Sequence, residues 1–109
     1  MKYPKEFIDF VEKNGSWYYD SGFFVIDKAP EGQGDEVITA EATFLDLEGY
    51  MRQWTEDNGY IIDAHYYRSW GEFRGEVEND GMCNAIDGSF KTYEEAFMAA
   101  FEKVCELVK

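Results

Sequence analysis

Thr92-Tyr-Glu-Glu95 opens, and Ala96-Phe-Met-Ala-Ala-Phe-Glu-Lys-Val-Cys-Glu-Leu-Val-Lys109 completes, the most strongly patterned stretch of this 109-residue chain. Thr followed three residues later by Glu is a capping box, in which the Thr92 hydroxyl and the Glu95 carboxylate each satisfy the other's orphan backbone N–H. Behind it, Ala96, Phe97, Ala100, Phe101, Val104, Cys105 and Val108 fall on one stripe at helical spacing, with Glu94, Glu102, Lys103, Glu106 and Lys109 elsewhere. A helix with one apolar stripe must bury it against another element. The segments just upstream supply a sheet.

Between Tyr60 and Ile86 the pattern shortens to a period of two. Tyr60, Ile62, Ala64 and Tyr66 alternate with Ile61, Asp63, His65 and Tyr67, and Phe73, Gly75 and Val77 alternate with Arg74, Glu76 and Glu78. Asp80-Gly81 fits a two-residue hairpin turn, whose register sets Val77 opposite Asn84 and Gly75 opposite Ile86 and makes Met82 to Ile86 a further strand. Ahead of these, Asp46 is placed to cap a helix carrying Leu47, Tyr50, Met51 and Trp54, which Asn58-Gly59 ends.

The first part of the chain reads more coarsely. Pro4 to Lys13 carries Phe7, Ile8, Phe10 and Val11 at helical spacing. Trp17 to Lys28 is strand-forming with a bend or tight turn at Asp20-Ser21-Gly22, Glu31 to Asp35 is a loop, and Val37 to Phe44 alternates as a second strand. The sum is one α+β domain over residues 1–109, two-layered, with about five short, largely antiparallel strands covered by three helices in the order α-β-β-α-β-β-β-α.

Composition bounds the function. Against 10 Lys and Arg stand 23 Asp and Glu, a net charge of −13, while 45% of residues are hydrophobic and 18% aromatic. That much apolar area excludes a disordered acidic tail, and a chain this long buries roughly 60 to 70% of its unfolded surface. A −13 surface is repelled by phosphate backbones and anionic lipids, so direct binding to nucleic acid or membrane is not expected. No leader-like apolar run follows Met1, and no apolar run, Phe23 to Ile26 included, approaches a bilayer span, so the expectation is a cytoplasmic protein. The two cysteines, Cys83 and Cys105, form no CxxC spacing and read as free buried thiols, and no cofactor motif is written.

Trp54, Asn58-Gly59-Tyr60-Ile61-Ile62, Trp70 and Thr92-Tyr93-Glu94-Glu95-Ala96 together resemble small uncharacterised proteins encoded by bacterial phages, prophages and conjugative elements. The resemblance covers residues 47–109 and transfers no catalytic residue.

Charge is segregated: six acids and no Lys or Arg lie between Ala29 and Met51, and four acids and none between Gly75 and Phe90. Carboxylates spaced like phosphates can occupy the basic groove of a nucleic-acid-binding protein, with encounter accelerated by long-range steering. Phage-borne inhibitors of host nucleases work in that way, which is what the resemblance implies here. The expected function is therefore a non-enzymatic protein-interaction module, with Glu31, Asp35, Glu36, Glu41, Glu76, Glu78 and Asp80 supplying charge to a basic partner and Tyr67 and Trp70 as aromatic anchors. Two alternatives stand beside it. One is a metal- or ligand-binding protein or enzyme centred on Asp63, His65 and the Glu76 to Asp87 loop, whose acids echo the spacing of a calcium loop. The other is a homodimer or larger homo-oligomer with a structural role.

Overall fold

The computed structural model describes residues 3–28 and 38–108. In chain order the elements are α1 (Lys5–Asn14), β1 (Tyr18–Asp20), β2 (Phe23–Lys28), β3 (Ile38–Glu41), α2 (Phe44–Asp57), β4 (Ile61–Tyr67), β5 (Glu72–Asn79), β6 (Met82–Ala85) and α3 (Tyr93–Leu107). This is an α+β fold with antiparallel strands and the expected order of elements. Among the described residues there are six strands instead of five, because Ser21 and Gly22, at φ 51° and 95°, form a tight turn that splits the first strand into a hairpin, β1 against β2. The strands also form two three-stranded sheets, β1-β2-β3 and β4-β5-β6, where one had been expected. No telltale of that division is local, since it depends on which strands find each other.

The chain separates into two compact units, residues 1–50 and 51–109, with the boundary inside α2. In the first unit, helix α1 buries Phe7 and Val11, and β2 buries Phe24 and Val25. Phe7 and Phe24 meet edge to face at 5.8 Å, with Tyr3 and Tyr19 each within 5.5 Å of Phe24. Helix α2 begins three residues earlier than a cap at Asp46 would place it. Thr43 is the capping residue: its hydroxyl accepts from Asp46 N–H at 3.3 Å, and Asp46 in return accepts from Thr43 N–H at 2.8 Å.

The second unit is a helix on a sheet. The β5–β6 hairpin turns at Asp80 (φ 53°) and Gly81 (φ 80°), both in the left-handed region that a two-residue turn of this twist requires. Val77 pairs with Asn84, and Ile86 N–H donates to Gly75 O at 2.8 Å, as the alternation predicts. Helix α3 lies across β4 and β5 and buries Ala96, Phe97, Ala100, Phe101, Val104 and Cys105 on Ile62, Ala64 and Val77, with Trp54 of α2 against Phe101 at 5.9 Å. The helix comes this close because Gly75 has no side chain: a methyl there would run into the Ala96 carbonyl oxygen and Ala100. The Thr92 cap forms, with its hydroxyl accepting from Glu95 N–H at 3.2 Å and donating to the Glu95 carboxylate at 2.9 Å, so the carboxylate meets the hydroxyl.

Candidate functional site

Alternation gives the β4-β5-β6 sheet two chemically different faces. The face under α3 is apolar. The outer face carries Ile61, Asp63, His65 and Tyr67 from β4, then Glu72, Arg74, Glu76 and Glu78 from β5, then Cys83 and Ala85 from β6. Ile61 is 51% exposed, which marks this face as uncovered at that end.

Glu76 sits at the centre. Its carboxylate accepts from the Tyr67 hydroxyl at 2.5 Å and from the Cys83 thiol at 3.5 Å, and His65 Nε2 lies 3.3 Å away. His65 Nε2 is also 3.7 Å from Asp63 Oδ2, as the shared parity of these two residues predicts. The hydrogen bond to Glu76 is the main cause that raises the Tyr67 hydroxyl above its ordinary 10.0, with burial and the carboxylate charge adding to it. Cys83, expected to be buried like Cys105, is exposed because it lies on the outer face of the edge strand β6, and its thiol is raised above 9.0, chiefly by desolvation and then by the same carboxylate. A thiol pushed upward carries less thiolate at neutral pH, which makes it a weaker nucleophile.

Past Tyr67 the β4–β5 turn folds Trp70 back over the face. Its ring stacks on Tyr67 at 5.5 Å, and the Arg74 guanidinium lies over it at 4.3 Å. Trp70 nonetheless remains 57% exposed. Arg74 Nε is buried and, among the described residues, has no hydrogen-bond partner, so the cation is held by the ring more than by hydrogen-bond acceptors.

Of the acids expected to act together, Glu76 and Glu78 share this face, and Asp80 stands exposed at the hairpin tip. Glu41 is exposed at the end of β3, in the other unit. Glu31, Asp35 and Glu36 lie outside the described residues. The calcium-like spacing from Glu76 to Asp87 folds as a hairpin, and Glu76 and Asn84 point to opposite faces, so their oxygens do not converge. Among the described residues no group of three or more His, Cys, Asp and Glu side chains is arranged to hold a metal ion, and no helix is long and apolar enough to cross a membrane.

Arg74 and Glu72 were not singled out from the sequence. Parity alone could have assigned them to this face. The Arg74–Trp70 contact could not be found that way, because it depends on the path of the turn. No protein-family model, curated protein or solved structure matches the chain.

Proposed function

We propose that this chain is a non-enzymatic acidic interaction module whose outer sheet face binds a basic, nucleic-acid-binding protein, presenting carboxylates where nucleic acid presents phosphates, as a phage-borne inhibitor would. The observation that carries this reading is the physical coupling of anchor and charge: Tyr67 stacks on Trp70 and donates to Glu76, with Glu78 on the same face. An aromatic pair held in place loses little conformational freedom on binding, and neighbouring carboxylates steer a basic partner toward it.

The test is capture from bacterial lysate by the immobilised protein, with competition by duplex DNA. Basic, nucleic-acid-binding proteins are expected on the column at low salt, released at moderate salt and displaced by DNA. The double variant Glu78→Lys, Asp80→Lys should lose them with a Tm within about 2 °C of the parent, and Trp70→Ala, which also frees Tyr67 and Arg74, should lose them while remaining folded. Retention by the charge variant, or loss of folding with it, would sink the proposal.

The proximity of His65, Asp63, Glu76 and Cys83 favours one second reading, a small polar-ligand or enzymatic centre on the same face. A ligand specific to the native state must raise its Tm, so a screen of small metabolites and divalent cations in which none does so removes it.

A further inference from the structure

A three-stranded sheet has two edges, and in β4-β5-β6 they are treated differently. On β4, the outward backbone groups belong to Ile62, Ala64 and Tyr66. Arg52 of α2 donates to Ile62 O at 3.1 Å, and Asp63 turns its own carboxylate back to accept from Ala64 N–H at 2.8 Å. Arg52 is itself fixed by Asp63 at 3.4 Å, the Tyr93 hydroxyl at 2.5 Å and the Phe97 ring at 4.8 Å. Side chains therefore occupy part of that edge, at Ile62 O and Ala64 N–H.

The β6 edge is open. Because Ile86 N–H points to Gly75 O, the period-two ladder turns the N–H and C=O groups of Cys83 and Ala85 away from β5. Among the described residues nothing bonds to them, and all four residues of β6 are exposed, Met82 at 69%. Edge strands are usually blunted by lysine, proline, a bulge or an inward charge. Met82-Cys83-Asn84-Ala85 has only its shortness.

What flanks this edge specifies an occupant. Inside, α3 stops short of β6 and leaves a cavity of about 480 Å³ whose apolar wall is Val77, Ile86 and Leu107, with the polar Asn84, Asp87 and Lys103 also lining it. Outside, the small Cys83 and Ala85 leave Glu78 one strand behind, roughly 10 Å from an added strand and within reach of lysine, and the largely buried Glu76 adds its charge beside it. A second copy of this chain would bring those acids onto one composite face with its own, and each copy carries −13.

We propose that β6 is a strand-addition site for an extended segment of a basic partner, with apolar side chains over the cavity alternating with Lys or Arg toward Glu76 and Glu78. This rests on the reading that the partner is basic, and adds the place and mode of contact.

The probe is a short peptide, blocked at both ends, alternating lysine and valine. At low salt it is expected to shift the backbone amide resonances of β6 and slow hydrogen exchange at Cys83 and Ala85. The same peptide with the β6-facing amides N-methylated should bind about tenfold more weakly or worse, since the ladder bonds are lost and charge is kept. Ala85→Pro removes one outward N–H without touching the β5 ladder and should have the same effect. Equal binding of the methylated and unmethylated peptides would overturn strand addition while leaving the charged-face reading intact. Absence of binding by either peptide would overturn both. Protection of Cys83 and Ala85 in the free protein, together with a dimer mass in solution, would make the occupant a second copy and overturn the basic segment.

Discussion

Glu76 concentrates the residue-scale chemistry, because one carboxylate holds a phenol and a thiol and lies beside an imidazole. Tyr67 gives a signed test. Its hydroxyl is raised above 10.0 in the folded protein, so both states hold the proton below that pH and the hydrogen bond contributes in full. As pH rises past 10.0 the unfolded chain releases its proton first, and the contribution is lost on the way to the higher folded value. The stability difference between the parent and Tyr67→Phe, measured by urea midpoints, should therefore be larger at pH 8 than at pH 11. A difference independent of pH would mean the hydroxyl does not bond to Glu76. The partnership was not legible in the sequence: parity put Tyr67 and Glu76 on one face, but Glu76 pairs directly with Asp63, and Tyr67 reaches it diagonally.

Among the elements, α3 shows how far local signals reach. Its start and its stripe were legible because a cap and a 3.6-residue period are written within a few residues of the atoms they affect. Where it would cross the sheet was not. The crossing is set by Gly75 beneath Ala96 and Ala100, with Ala64 beside it in the next strand. Gly75→Val should cost about 2 kcal/mol or more, read from urea unfolding, since the obstructing atoms include a helix carbonyl that cannot swing aside. A neutral result would place α3 farther from β5. Asp46 makes the complementary point about ambiguity. Both it and Thr43 can cap, and Thr43 takes the position because Asp46, three residues on, then answers as its reciprocal partner.

For the whole molecule the governing quantity is charge. At −13 the folded state repels itself more than the expanded chain does, so raising NaCl from about 10 to about 200 mM should raise Tm by a few degrees. A fall would show that attractive pairs such as Arg52–Asp63 outweigh the repulsion. Charge, the α+β class, the β5–β6 register and the helix faces were determined by the sequence alone, because composition sums over residues and turns, caps and periodicities act across a few positions. The separation into two sheets, the gathering of His65, Tyr67, Glu76 and Cys83, and the contrast between a partly occupied β4 edge and an open β6 edge were decided only by tertiary structure. Each requires groups distant in the chain to meet: Arg52 reaches the β4 edge from ten residues before Ile62, and β6 stays open because the helix that could cover it lies over β4 and β5.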